Sequence, residues 1–249
     1  MSLHRFYLPP EQCQGPELVL TGGEAHHAAH VLRMRRGDRA LVLDGAGGQY
    51  MTELQELERD HARLSLVEKR SVPRPSREVT LLQAVPKGKL IESIIEKATE
   101  LGAARVVPLI TERVVMHLDR KTAAEKEQKW QAVAIEAIKQ CGSAWLTRVE
   151  APVTPAEFLA RRERFDIALA GSLQPRARHP SECFREFEKQ EGHPPKLVAI
   201  WIGPEGDFTE AELESIVRSG AKPITLGPLV MRTETAAVYC LSIINYELS

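Results

Sequence analysis

A chain of 249 residues, 43% of them hydrophobic, is long enough to bury one large core or two modest ones, while an aromatic share of 5% argues against a repeated base-stacking platform. A formal net charge of −1 excludes a global field that would draw the protein onto nucleic acid, so any such surface has to be a local basic patch. Cys13, Cys141, Cys183 and Cys240 are widely spaced with no C-x-x-C pair, the start of the chain lacks an apolar signal core, and no apolar run is long enough for a bilayer; together these predict a cytoplasmic protein with free thiols and no membrane partner.

Residues 1–72 read as short strands separated by turn residues, over Arg5–Leu8, Glu17–Leu20, Arg39–Leu43, Gln49–Leu54 and Ala62–Lys69. Gly22-Gly23 leads into a short helix over Glu24–Met34, marked by Ala25, Ala28, Ala29 and Leu32. Asp44-Gly-Ala-Gly-Gly48 lies between two strands and is therefore a hairpin signal, not a dinucleotide loop. Many short strands with one helix predict a small barrel. Pro73-Arg-Pro75 then breaks the pattern and places a domain boundary there.

From Glu78 the texture alternates strand and helix. Strands are predicted over Val79–Val85, Arg105–Ile110, Phe165–Ala170, Leu197–Ile202 and Ile224–Leu226. Between them lie an amphipathic helix from Leu90 to Leu101 ended by Gly102, a long helix over Lys121–Gln140, and a helix over Ser181–Gln190. A helix opened by the capping box Thr209-Glu-Ala-Glu212 follows, closed by Gly220, and the last helix covers Thr235–Leu248. That rhythm predicts a parallel sheet covered on both faces, hence an α/β class for residues 73–249.

Two strand ends run into glycine and proline just before a helix: Ile202-Gly-Pro-Glu-Gly-Asp-Phe208 and Leu226-Gly-Pro-Leu-Val-Met-Arg-Thr-Glu-Thr-Ala-Ala237. Such ends form the ligand crevice of an open α/β sheet, where glycine allows close backbone approach and loop amides stay unpaired. Leu169-Ala-Gly-Ser172 offers a third strand end for the same crevice. With His26-His-x-x-His-Val-Leu-Arg-Met-Arg35 and Lys97-Ala-Thr-Glu-Leu-Gly102, these motifs resemble the RsmE family of SPOUT (α/β-knot) methyltransferases across nearly the whole chain.

The resemblance implies a PUA-like β-barrel over residues 1–72 that helps hold RNA, and a trefoil-knotted α/β domain over 73–249. It implies S-adenosyl-L-methionine as cofactor, methylation of uridine N3 in small-subunit (16S) ribosomal RNA, and work as a homodimer with the small ribosomal subunit as partner. Carried over by position, the cofactor residues are Leu169, Gly203, Glu205, Gly206, Leu226, Gly227, Val230, Met231, Glu234, Thr235 and Ala236. The apolar side of the last helix, Val238, Leu241 and Ile244, is the expected contribution to a dimer interface, with core as the alternative.

Arg232 is the expected catalytic residue. Uridine N3 must lose a proton before it attacks a methyl group, and a guanidinium stabilises the charge that develops on the uracil oxygens. A guanidinium does not serve as the base; Glu205 and Glu234 are both candidates for it, and Arg232 could equally pair with either to organise the loop. His26 and His30 share a helix face but lack a third ligand and have Arg33, Arg35 and Arg36 nearby, so no metal is expected. A phosphate-facing patch of Arg5, His26, His30, Arg33 and Arg35 is expected instead, against the alternative of a solvated charged face.

Lys87, Lys89 and Lys97 fit structural and RNA-backbone roles equally, and Glu136 and Gln140, one turn apart on the long helix, fit an RNA-facing or dimer-facing role or simply an exposed polar face. The family has Gly where Asp207 stands, Arg where Leu229 stands and, in many members, Arg where Ser143 stands, so RNA affinity is the property most affected. Three other functions remain open at this point: a SPOUT enzyme acting on another RNA target such as a ribose 2′-hydroxyl, a catalytically weak RNA-binding protein of ribosome assembly, and an unrelated α/β enzyme that binds neither cofactor nor RNA.

Overall fold

The computed structural model describes residues 3–58, 60–114, 119–173 and 177–248. The chain divides into two compact units, Met1–Arg74 with Ile135–Leu146, and Pro75–Ala134 with Thr147–Ser249.

The first unit is built on a five-stranded sheet of β1 (His4–Tyr7), β2 (Glu17–Thr21), β3 (Arg39–Leu43), β4 (Gly48–Leu57) and β5 (His61–Ser71), in the order β1-β3-β4-β5-β2. Only β1 and β3 run parallel; the other pairs are antiparallel. Alternation sets the buried face: Leu18 and Leu20 of β2 are buried between exposed Glu17, Val19 and Thr21, and join Phe6, Val42, Leu54 and Leu64 in the core. The β3–β4 hairpin is closed by Asp44, whose Oδ1 accepts from the amides of Ala46 (2.8 Å) and Gly48 (2.7 Å) and whose Oδ2 accepts from the Tyr50 hydroxyl (3.1 Å). The predicted helix after β2 forms in two parts, α1 (Gly22–His26) and a π-turn over His27–Val31, with Ala25 and Ala28 buried.

The second unit holds a six-stranded, wholly parallel sheet of β6 (Glu78–Ala84), β7 (Arg105–Leu109), β8 (Arg148–Val149), β9 (Ile167–Gly171), β10 (Leu197–Ile202) and β11 (Lys222–Ile224). The order is β11-β9-β10-β6-β7-β8. Its central strands are near-continuous apolar runs because both faces are covered: Val79–Ala84 and Val198–Ile202 are buried throughout. The helices are α2 (Leu90–Glu100), α3 (Arg120–Cys141), α4 (Pro155–Ala160), α5 (Pro180–Glu191), α6 (Glu210–Arg218) and α7 (Thr233–Glu247). The end of α3 belongs to the first unit.

Several sequence expectations shift. Two-residue β8 and short α4 were not predicted, although Thr154 and Glu157 make the same reciprocal capping box as Thr209 and Glu212. The last strand lies over Lys222–Ile224, two residues before its predicted position, because an edge strand accommodates Pro223; Thr225 and Leu226 are released into the following loop. Leu241 and Ile244, expected at an interface, are 2% and 1% exposed, and α7 packs on α2, so these side chains are core of their own chain. The exposed residues of α7 are Thr235, Tyr239, Ser242, Tyr246 and Glu247.

Candidate functional site

The carboxyl ends of β9, β10 and β11 converge on a cavity of about 410 Å³ lined by Gly171–Leu173, Ile202–Asp207, Thr225–Met231, Thr233 and Ala236. After β10 the chain turns at once, the Asp207 amide donating to the Pro204 carbonyl (2.9 Å). Gly203 is required by that turn: a Cβ there would lie 2.8 Å from Asp207 Oδ1 and 3.1 Å from the Phe208 nitrogen. Asp207 takes φ 63°, a left-handed conformation that Asp tolerates by local hydrogen bonding; its Oδ1 accepts from the Phe208 amide (2.8 Å). After β11, Gly227 sits at φ 114°, held by its amide donating to Thr225 Oγ1 (3.2 Å).

Of the expected cofactor residues, Gly203, Glu205, Gly206, Leu226, Gly227, Val230, Met231 and Ala236 line the cavity. Leu169 does not: it is fully buried within β9, paired with Ile200 and Lys222, and β9 contributes its last residue and the two after it instead. Glu234 and Thr235 stand in the first turn of α7, outside the lining. Arg232 is the N-cap of α7, between lining residues Met231 and Thr233; its side chain is exposed and, among the described residues, ion-paired with neither Glu205 nor Glu234. Among the described residues no side chain caps the helix, so its first amides lack a capping partner there. The Glu205 carboxylate accepts from the Lys87 amide (3.1 Å).

Three residues at the site escaped sequence reasoning. Gln83, at the end of β6, donates through Nε2 to Thr233 Oγ1 (2.9 Å), and the Thr233 hydroxyl donates to the Gly203 carbonyl (2.7 Å). Arg113 donates through Nη1 to the Gly206 and Asp207 carbonyls. For Gln83 a signal existed: it is a long polar side chain in a strand whose other residues from Val79 to Ala84 are apolar or threonine.

The expected RNA-facing residues separate. His26, His30, Arg33 and Arg35 are exposed, as are Arg36 and Arg39; the His26 and His30 rings lie 4.5 Å apart. Arg5 is engaged elsewhere, donating to the carbonyls of Lys139 (3.2 Å) and Gln140 (2.8 Å) at the end of α3, a cation on the negative end of a helix. Lys139 is itself buried and bridges Glu24 (2.8 Å) and Glu136 (2.9 Å). Lys97 pairs with Glu100 and Glu96, and Lys87 and Lys89 are exposed. The Ser143 hydroxyl donates to the Trp145 carbonyl (2.8 Å), and Leu229 is 75% exposed on the rim loop. Burial pushes the Cys13 thiol up to about 11 and the Cys240 thiol to about 12, so neither supplies a thiolate at neutral pH.

A family model described as an RNA methyltransferase domain matches residues 73–245, and one described as an RNA methyltransferase PUA domain matches residues 20–67. The chain is 34% identical over 247 residues to ribosomal RNA small subunit methyltransferase E of Synechocystis, covering 97% of this chain and 77% of that protein. It is 32% identical over 238 residues to the protein of that name from Bacillus subtilis, covering 94% of this chain and 91% of that protein. Among solved structures, ribosomal RNA small subunit methyltransferase E of Neisseria gonorrhoeae bound to S-adenosyl methionine superimposes with a TM-score of 0.84 at 26% identity, covering 98% of this chain and 97% of that one. A Legionella pneumophila protein solved with bound SAM gives 0.87 at 29% identity, covering 99% and 98%. A mixed α/β architecture with a parallel sheet behind an N-terminal PUA-like domain, and matches of this extent, place the chain in the ribosomal RNA small subunit methyltransferase E family.

Proposed function

We propose that this protein methylates N3 of a uridine in small-subunit ribosomal RNA, using S-adenosyl-L-methionine held in the cavity at the ends of β9, β10 and β11. The observation that carries this reading is the joining of both Gly-Pro loops in one crevice with Arg232 beside it. The residues fit the cofactor. A cavity of about 410 Å³ suits a nucleoside-sized ligand, Leu226, Val230, Met231 and Ala236 offer apolar wall, and the turns supply main-chain donors and acceptors for an adenine edge and a carboxylate.

When bound, the cofactor supplies an electrophilic methyl group on a sulfonium. The chain's own residues have the remaining tasks. The loops Gly203–Asp207 and Leu226–Met231 orient, and Arg232, unpaired with Glu205 or Glu234, presents a fixed positive charge for the oxygens of a deprotonating uracil. The exposed patch of His26, His30, Arg33 and Arg35 holds RNA phosphates, the first unit thereby acting as the RNA-binding domain (residues 1–72) and residues 73–249 as the methyltransferase domain.

The trefoil knot belongs to the same proposal. In its support, the chain leaves β11 at the sheet edge and reaches, at Thr233, the end of β6 on the far side of β9 and β10. A homodimer in the cytoplasm completes the reading, with the exposed Tyr239 and Tyr246 of α7 as apolar surface for a second copy. No helix among the described residues is long and apolar enough to cross a membrane.

Calorimetric titration with S-adenosylhomocysteine and nucleoside analysis of treated small-subunit RNA test the proposal together. Wild type should bind and yield 3-methyluridine, and Arg232→Ala should still bind while turnover falls by about 10²- to 10³-fold. A ribose 2′-O-methyl product would move the target, and failure of folded wild type to bind would overturn the cofactor site.

A further inference from the structure

We infer that Gln83 is a positioning residue: its amide nitrogen sets the direction of the Thr233 hydroxyl, and that hydroxyl holds the Gly203 loop against the start of α7. The inference rests on the cofactor reading of the cavity and names two side chains on which its shape depends.

Gln83 is fully buried at the end of β6, in register with Ile202 of β10. Its Nε2 lies 2.8 Å from the Ala84 carbonyl and 2.9 Å from Thr233 Oγ1. The Thr233 hydroxyl has one proton and lies 2.7 Å from the Gly203 carbonyl. A carbonyl only accepts, so the proton of Thr233 is committed to Gly203, and Thr233 must in turn accept from Gln83. Both neighbours of the amide thus demand its nitrogen, which fixes its orientation. Gln83 Oε1 is buried and has no partner among the described residues, a cost that an apolar residue of the same size would not carry. The donor, not the volume, is what this position provides. Through it, three segments distant in sequence meet: the end of β6, the turn after β10 and the first turn of α7, beside Arg232. Two of these segments, through Gly203 and Thr233, are walls of the cavity.

The hydroxyl direction separates variants that a merely space-filling role would not. Gln83→Glu keeps the shape and, once ionised at alkaline pH, offers only acceptors, so it then repels the Ala84 carbonyl and competes with Gly203 for the single proton of Thr233; protonated, it retains one donor and stays closer to wild type. Gln83→Leu leaves the Thr233–Gly203 bond alone. Thr233→Val removes the hydroxyl at constant shape, and Thr233→Ser restores it. Expected affinities for S-adenosylhomocysteine, by calorimetry at alkaline pH, are a loss of about tenfold or more for Gln83→Glu and Thr233→Val, corresponding to ~1.4 kcal/mol. Thr233→Ser should stay within about twofold of wild type and Gln83→Leu between the two groups.

Amide hydrogen exchange without cofactor should quicken at Gly203–Phe208 in Gln83→Glu and Thr233→Val while the strand amides keep their protection. If wild type binds and Thr233→Val binds equally well with unchanged exchange, the inference fails and the cofactor site stands. If folded wild type does not bind, the site reading fails and this inference with it. Should Gln83→Glu not fold, Gln83→Leu decides beside the Thr233 pair: affinity and exchange unchanged from wild type in Gln83→Leu would overturn the role of Gln83.

Discussion

Replacing Gly203 with alanine tests the cavity at its tightest turn. The added Cβ would meet Asp207 Oδ1 at 2.8 Å, the Phe208 nitrogen at 3.1 Å and Asp207 Cα at 3.3 Å, so two of its three closest neighbours are backbone. The carboxylate cannot retreat without loss, because it accepts the Phe208 amide at 2.8 Å just before the cap of α6. Overpacking of this kind costs about 1–3 kcal/mol, and the lost charge-assisted bond about 1 kcal/mol more. If the whole of roughly 2–4 kcal/mol opposes loop closure, affinity for S-adenosylhomocysteine drops by about 30- to 1000-fold. Asp207→Gly alone should be near neutral, since relief of φ 63° offsets the bond it removes. In the double variant the nearest clash disappears, so Asp207→Gly should recover about 1–2 kcal/mol of the Gly203→Ala loss in a double-mutant cycle. Calorimetry on the four proteins checks this; wild-type affinity in Gly203→Ala, or strict additivity in the cycle, would refute the reasoning.

The remaining predictions concern charge. Lys139→Met should cost about 3–5 kcal/mol at pH 8 by urea unfolding, because it leaves the mostly buried Glu24 without its cation. Burial raises the Glu24 carboxyl above its usual range, so its charged form opposes folding increasingly as pH climbs above 4.5; part of the loss should return near pH 5, and Glu24→Gln in that background should flatten the profile. Glu163 is held below the usual carboxylate range by its hydrogen bond with Arg105, so its contribution is present above pH 4.5 and vanishes as pH falls through the depressed value. Glu163→Gln should cost about 1 kcal/mol at pH 7 and progressively less as pH falls below 4.5, and a cost that does not change with pH would contradict the pairing. Joint replacement of Arg33, Arg35 and Arg36 by alanine should reduce the salt slope of RNA binding by about 0.7 for each phosphate no longer neutralised, while S-adenosylhomocysteine affinity holds; an unchanged slope would remove the patch from the RNA path.

What the sequence determined by itself is what chain-local physics writes into a pattern. Period-two alternation set the buried face of β2, the unbroken apolar run Leu197–Ile202 marked β10, and the capping box marked the start of α6. The two Gly-Pro loops were legible because a close turn and a left-handed φ restrict residue type at the position itself; Gly203 and Gly227 meet those demands, and Asp207 meets one of them less easily. The knot and the cofactor came from family resemblance and from no period in the chain.

Tertiary structure alone decided which polar residues act together. Arg5 could not be separated in sequence from its basic neighbours, yet it caps a helix that ends more than 130 residues later. Leu241 and Ile244 form an apolar stripe whether a neighbouring helix or a second copy covers it, and only the packing of α7 on α2 settles that they are core. Gln83 and Thr233 lie 150 positions apart and share one proton-directed hydrogen bond, which no spacing rule encodes. A hydrogen bond between distant segments constrains neither residue's local conformation, so it leaves no trace until the strands that carry them are brought together.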